Sequence, residues 1–492
     1  MDFRITPTLI YTLLSAQLAA CVVGPDYVRP QATIPHEFKE NKDWKQAQPR
    51  DHTLSGKWWE IFKDPKLNAL EEQVATANQS VIQAEAQYRQ AQHLVQSAES
   101  AFFPIANLTG MTNRFRAASG QSVAVSGVRS LFGVAGAIAW EPDLWGSVRR
   151  QVEANTGNAQ AGAATLQALR LSSQAALAQD YFQLKVLDEQ KAMLDEIVAV
   201  YTKTLQITQN RYAVGVAAKS EVVQAETQLE SVRAQAINLG VQRAQLEHAI
   251  AVLIGKSPAE LSLSPARLDV RPPSIPLSLP SELLERRPDI AAAERKIAAA
   301  NARIGVAKAA YYPSLNLAVT NGFQTSTLDN LFKMASRYWA LGPAGAALTV
   351  FDGGAKNAQY KQAIDDFDAN VAAYRQTVLT GFQEVEDNLA ALRILEEEKQ
   401  VQDKAVDAAN QALRLTINQY QAGTISYLNV IIAQTAALSN RQTAVQLHGQ
   451  QLAASVLLVK ALGGGWNVAM LPNEEQAGGE VKWTDYLILP VE

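Results

Sequence analysis

The chain has 492 residues, 48% hydrophobic, 19% charged and 7% aromatic, with a formal net charge of -4. That balance carries no polyanion-binding signal, so nucleic acid is not an expected partner, and long Ala- and Gln-rich stretches suit extended helix packing better than a mixed globular enzyme. No apolar run of roughly eighteen uncharged residues occurs, which excludes a spanning helix and leaves strands as the only way across a bilayer.

The N-terminus reads as a processing segment. Arg4 precedes the largely apolar stretch Ile5 to Ala16, and Leu18-Ala19-Ala20-Cys21 closes it with small residues, so residues 1–20 are expected to be a removed signal peptide. Cys21 is the only cysteine, which rules out an intramolecular disulfide. It is either an acylated first residue anchoring the mature chain to a membrane or a stray buried thiol. Residues 21–64, with Trp44, Trp58 and Trp59, form a Pro-bearing extension expected to lie against the body and not inside it.

A first unit, 65–255, begins with a helix from Pro65 to about Ala101, which Phe102-Phe103-Pro104 stops, because a residue before proline is driven out of the α region. Strands follow. From Leu131 to Trp140 bulky Phe132, Val134, Ile138 and Trp140 alternate with small Gly133, Ala135, Ala137 and Ala139. From Ser147 to about Arg211 no proline interrupts an apolar repeat that includes Leu177, Tyr181, Leu184 and Leu194. Such a helix would reach about 100 Å. After Gly215 a three-four alternation runs from Val222 to Leu253, broken at Arg243. Residues 256–282 carry six prolines and read as a surface connector.

A second unit, 283–465, repeats the first at a spacing of about 208 residues, followed by a tail, 466–492. Ala101-Phe102-Phe103-Pro104-Ile105-Ala106-Asn107-Leu108 recurs as Ala310-Tyr311-Tyr312-Pro313-Ser314-Leu315-Asn316-Leu317. Thr208, Asn210, Tyr212 and Gly215 recur as Thr416, Asn418, Tyr420 and Gly423, and Gln451 is polar where Arg243 is polar. Leu315, Leu317, Val319 and Phe323 again share a strand face. These strands fit a membrane barrel or a half-buried soluble hairpin; if the barrel, four strands cannot close it, so several chains must share one. Taken alone, the helices fit a wall of several helices or a solid bundle.

The chain resembles the outer-membrane factors of efflux pumps, the TolC- and OprM-like family, in its NodT-like lipoprotein branch. The match rests on Cys21-Val22-Val23-Gly24-Pro25-Asp26-Tyr27-Val28-Arg29-Pro30, on Trp58-Trp59 with Phe62 and Asp64-Pro65-Lys66-Leu67, and on Trp140-Glu141-Pro142-Asp143-Leu144-Trp145-Gly146. It continues in Glu285-Arg286-Arg287-Pro288-Asp289, Phe351-Asp352-Gly353-Gly354 and Glu384-Val385-Glu386-Asp387. The resemblance implies a mainly α fold with a small β part. Three chains would each give four strands to one transmembrane β-barrel, above an α-helical barrel reaching into the periplasm. It also implies a homotrimer in the outer membrane, with covalent lipid on Cys21 and no other cofactor. The expected partners are outer-membrane lipid, a periplasmic adaptor of the membrane-fusion class and an inner-membrane RND transporter. The expected function is a passive exit duct for drugs or other small toxic compounds. The alternatives are a duct for type I protein secretion and a periplasmic coiled-coil scaffold.

By the same resemblance, Tyr212, Gly215, Tyr420 and Gly423 mark the periplasmic tip turns, closed at rest and opened when adaptor and pump dock. Tyr420 matches a family tyrosine that holds a neighbouring hairpin, and Glu221 its acidic partner. Ile425 stands in place of a family arginine, and Asn429 and Ile432 replace pore acids. The candidate gate is therefore Glu221, Tyr420, Asn429 and Ile432, closed more by hydrogen bonding and apolar packing than by charge. No enzyme chemistry is expected. His36, His52, His93, His248 and His448 lack ligand spacing, and Gly255-Lys256-Ser257 lacks the first glycine and the preceding strand of a phosphate loop.

Overall fold

The computed structural model of this protein describes residues 22–40, 56–116, 128–273, 275 and 280–481. Cys21, Trp44 and the signal segment lie outside the described residues. The main helices are α1 Pro65–Ala77, α2 Gln79–Glu99, α3 Ser147–Ala213, α4 Lys219–Leu253, α5 Pro288–Ala309, α6 Ala355–Gln421 and α7 Tyr427–Ala461. The strands are β1 Ile105–Arg116, β2 Val128–Trp140, β3 Ser314–Thr325 and β4 Arg337–Ala347. The repeat is visible in the lengths: α3 and α6 have 67 residues each, α4 and α7 have 35 each.

Each long helix starts and stops for local reasons. Asp143 accepts the N–H groups of Val148 and Arg149, both at 3.0 Å, where α3 begins, and Asp352 accepts those of Gly354 and Lys356, both at 2.9 Å, where α6 begins. These bonds satisfy amides that have no partner inside the helix. At the far end of α3, Gly215 takes φ 77°, while its N–H bonds to the Tyr212 carbonyl and that of Val216 to the Arg211 carbonyl. Gly423, φ 76°, repeats the pattern with Tyr420 and Gln419 after α6. This left-handed cap closes off the last carbonyls, and a Cβ would strain it.

The first helix differs from expectation. The segment from Pro65 to Ala101 is two helices, because Asn78 turns out of helical geometry and its side chain accepts from the N–H groups of Ser80 and Val81. Its amide also donates to the Leu253 carbonyl at 2.8 Å, joining this break to the end of α4. The extension differs as well. Trp58, Trp59 and Phe62 sit inside the main core with Leu67, Leu70 and Phe182, since one short 3-10 turn points all three aromatics inward. Burying side chains of that size stabilises by roughly 2 to 3 kcal/mol each. The connector likewise sends Leu263, Val270 and Ile275 into this core and does not merely lie along the surface. Arg243, the break in the α4 repeat, donates to the Leu263 carbonyl at 2.6 Å, to Asp188 at 2.7 Å and to Glu247 at 2.8 Å. Its charge is paired where it is half-buried, and it ties the connector down.

The helices pack side by side: α3 runs along α2, α4, α5 and α7, and α6 runs along α5 and α7. Small residues permit the close approach, as at Gly157 of α3, where a Cβ would meet backbone atoms of Arg295 and Ala299 at 3.1 Å. Among the described residues no helix is long and apolar enough to cross a membrane.

The strands form one antiparallel sheet in the order β1-β2-β3-β4. The register lines up Ala106, Ile138, Val319 and Leu341 in one cross-strand row and Leu108, Gly136, Asn321 and Trp339 in the next. Directly opposed residues share a face, so Phe132, Val134, Ile138 and Trp140 of β2 collect with Leu317, Val319 and Phe323 of β3 on one side, where Leu108 is 81% exposed and Leu341 80%; in β1 Ile105, Met111 and Phe115 lie on the other. On the other face Gly322 lies so close that a Cβ would come within 2.8 Å of Ala135. The register slips between Leu317 and Val319, opposite Pro343, which has no N–H to offer.

One buried acid has no partner. Glu71 of α1 is fully buried, neither carboxylate oxygen has a hydrogen bond, and burial pushes its pKa up from 4.5 to about 9. Between those values the folded chain holds a proton that the unfolded chain releases, so stability is full below pH about 4.5 and falls as pH rises towards 9. Glu71→Gln should therefore raise the melting temperature, by an amount that grows across that window. A lower melting temperature at neutral pH would instead show that the side chain is charged and paired.

The paired helical tips as candidate functional site

Two hairpins end the long helices: α3 turns into α4 through Gly215, and α6 into α7 through Gly423. The shared left-handed cap explains why both turns carry glycine at the same offset. Between them the chain builds a small core of Ala225, Tyr420, Tyr427 and Val430, with Leu205, Ile207, Ile417, Ile425 and Ile431 packed around it. Tyr420 is 1% exposed, and its ring lies 5.5 Å from that of Tyr427.

The structure brings Tyr420 and Glu221 together. The Tyr420 hydroxyl donates to the Glu221 carboxylate at 3.1 Å and lies 3.2 Å from the Thr208 hydroxyl, whose own proton goes to the Thr204 carbonyl at 3.0 Å. Burial raises the Tyr420 pKa and the Glu221 charge adds to it, so the phenol keeps its proton as a donor. This contact joins the two hairpins of one chain.

Arg211 completes the contact, and sequence reasoning missed it. From the last turn of α3 it donates to the carbonyls of Tyr420 at 3.0 Å and Gln421 at 3.4 Å, and its guanidinium stands 4.7 Å from the centre of the Tyr420 ring. It thus adds a second donor to the Tyr420 carbonyl, which already accepts from the Gly423 N–H, and reaches that of Gln421 at the C-terminus of α6, where the helix dipole favours a cation. A Cβ at Gly423 would sit 3.8 Å from the guanidinium, an ordinary contact, so the backbone at φ 76° and not Arg211 calls for glycine there. The available signal was the Arg-Tyr pair immediately before the first turn, at a place where the second repeat has Gln-Tyr. An arginine is therefore present at the tip although Ile425 occupies the expected position.

The remaining candidates are not in this cluster. Asn429 is exposed and bonds only to its own turn, at 3.2 Å to the Ser426 hydroxyl. Ile432 and Tyr212 are exposed and Ile425 half-buried. Among the described residues no group of His, Cys, Asp or Glu is arranged to hold a metal ion.

The chain matches the family described as outer membrane efflux protein over residues 70–256 and 279–464. It is 31% identical over 467 residues to the toluene efflux pump outer membrane protein TtgC of Pseudomonas putida, spanning 92% of this chain and 96% of that relative. It is 30% identical over 461 residues to outer membrane protein OprJ of Pseudomonas aeruginosa, spanning 92% and 95%. Among solved structures it is similar to the outer-membrane channel OprN, with a TM-score of 0.85, 29% identity and coverage of 91% of this chain and 100% of that one.

Arg211→Ala should loosen the second tip more than Tyr420→Phe does. The first loses two charge-assisted carbonyl bonds and a ring contact, on the order of 3 kcal/mol together, the second one bond to a carboxylate, on the order of 1.5 kcal/mol. Hydrogen exchange of the amides around Gly423 measures both, and equal protection in the two variants would count against the clasp.

Proposed function

Because this chain belongs to the outer membrane efflux protein family, and so is the outer-membrane channel of an efflux pump and not an enzyme, we propose that it works as a trimer. Three four-stranded sheets close one barrel, and the helices continue it as a tunnel into the periplasm. The observation that carries this reading is the sheet itself. It has free edges at β1 and β4, and its bulky outer face is left uncovered by the chain. Lipid cannot satisfy an open strand edge, so the edges must be paired by further copies of the chain. A coiled-coil scaffold would have no need of such a sheet.

The α3 and α6 helices, about 100 Å long at 1.5 Å per residue, give the tunnel its reach. The tips are its gate: Glu221, Tyr420 and Arg211 hold the hairpins of each chain, while Asn429 and Ile432 line a constriction without carboxylates. A periplasmic adaptor and an inner-membrane RND transporter supply cargo and energy. The cargo is small drugs and solvents, as the toluene efflux role of the TtgC relative suggests.

Lipid on Cys21 is the second part of the proposal, and the path of the next residues supports it. The Val23 N–H bonds to the Trp145 carbonyl at 3.1 Å, Asn301 donates to the Pro25 carbonyl at 2.9 Å, and Arg150 pairs with Asp26 at 2.8 Å. Residue 22 therefore starts beside Trp145 and Gly146, just before α3 and within six residues of the end of β2. Phe102, Phe103, Tyr311, Tyr312, Trp140 and Trp145 gather at this level, as aromatics do at a membrane–water boundary. An acyl chain on Cys21 would enter the bilayer there.

Native mass spectrometry in detergent should find three times the chain mass, and a water-soluble folded monomer would sink the shared barrel. Cys21→Ser should abolish the acyl mass on the mature N-terminus and leave the trimer intact, because the barrel and not the lipid crosses the bilayer. An unmodified Cys21 in the native protein would remove the anchor.

A further inference from the structure

Charge is distributed unevenly along the sheet. Residues 105–140 and 314–347 hold all four strands and the connections at their far end, and their charged side chains are Arg114, Arg116, Arg129, Lys333, Arg337 and the single acid Asp329. All of these lie at the end of the sheet away from the long helices. Residues 117–127, which join β1 to β2, carry no charge that could offset them.

The register sorts these side chains by face. Arg114 stands opposite Ser130 and Arg116 opposite Val128, in the rows that continue Phe132 and Val134, so both share the bulky face of β2 and β3. Arg337 stands opposite Phe323 on that same face, where the next residue of β4 is Trp339, 73% exposed. Phe332 folds back from the β3–β4 connection onto Phe323, with ring centres 5.8 Å apart, and so places Lys333 beside the same corner. Arg129, opposite Phe115, faces the other way.

These cations have no anion of their own. Arg114, Arg116, Lys333 and Arg337 are exposed, and none pairs with a carboxylate among the described residues; Arg337 reaches the side-chain oxygen of Asn321 at 3.5 Å. Their height explains how a bilayer tolerates them. From Trp140, at the aromatic level beside the helices, to Ser130 is about ten residues, which at about 3.4 Å each and a tilt of about 40° climbs about 26 Å, close to the full height of an apolar band. The arginines stand where hydrocarbon ends and headgroups begin.

In the trimer proposed above, on which this inference rests, β4 of one chain runs antiparallel beside β1 of the next. Because β4 begins at Arg337 and β1 ends at Arg116, their basic ends meet at the outer rim. We propose that each chain boundary is a binding site for a phosphorylated lipid of the outer leaflet. Arg337 and Lys333 of one chain and Arg114 and Arg116 of its neighbour hold the phosphates, and Phe332 and Trp339 pack against the acyl chains. Guanidinium groups suit phosphate because their N–H groups bind it in pairs. A headgroup with two phosphates matches cations presented from both sides of the boundary, and a lipid held by both chains also fastens the two sheet edges together.

Native mass spectrometry of the full-length protein in detergent tests the site, with bisphosphorylated lipid A, its monophosphoryl form, phosphatidylcholine or inorganic phosphate added. The trimer should retain lipid A, hold the monophosphoryl form several-fold more weakly and release phosphatidylcholine. Arg114→Gln, Arg116→Gln and Arg337→Gln together should weaken lipid A retention about tenfold or more, as expected for several exposed charge pairs. Equal retention of phosphatidylcholine, or undiminished lipid A on the triple variant, would overturn the proposal. So would phosphate adducts on a trimer that retains no lipid A, which would show an anion site only. Should the triple variant fail to assemble, Arg337→Gln alone decides, with retention expected to fall about threefold and no fall counting against the site. A native mass of one chain would instead overturn the trimeric reading beneath it.

Discussion

A backbone hydrogen bond left open in lipid costs several kcal/mol, and the architecture follows from avoiding that cost with only four strands. The sheet β1-β2-β3-β4 pairs each strand with its sequence neighbour and leaves the outer edges of β1 and β4 open. In β2 and β3 bulky and small residues alternate, so one face of that pair suits hydrocarbon and the other a lumen. Closure by symmetry fixes the number of helices that must stand beneath the barrel. Their small seam residues, such as Gly157 against Ala299, let them stand as a wall.

Polar side chains then fasten this wall where apolar packing changes direction. Arg287 is buried and paired with Asp289 and Glu384, both at 2.7 Å, and it donates to the Ala461 carbonyl at 3.1 Å where α7 ends. Asp64 caps α1 while accepting from Tyr181 at 2.9 Å and Lys185 at 3.2 Å. Arg243 plays the same part for the connector. Removing one member of such a set would leave a buried charge unpaired, which costs more than the pair contributes. The network therefore specifies where helices end and turn more than it adds net stability.

The two repeats have equal lengths and turns but unequal charges at the tip. Duplicated geometry supplies the same left-handed cap at Gly215 and Gly423; diverged side chains place Arg211 and Glu221 on the first hairpin alone, where both hold Tyr420 of the second.

Much of this was legible in the sequence because it depends on local order. Period-two alternation named β2 and β3, proline-free length named the long helices, and glycines in repeated positions named the turns, each a consequence of backbone sterics acting over a few residues. The pairing of Tyr420 with Glu221 could be anticipated from family resemblance alone. The sequence also carried a signal that went unread at Asn78, whose local cap on Ser80 and Val81 breaks α1 from α2 and is held by a further bond to Leu253 far along the chain. It did not reveal that Trp58, Trp59, Phe62, Leu263 and Ile275 would share a core, or that Arg211 would cap a helix of the other repeat. Those outcomes were decided by tertiary structure: they join residues distant in sequence, and their energy exists only once both partners have been brought together and removed from water.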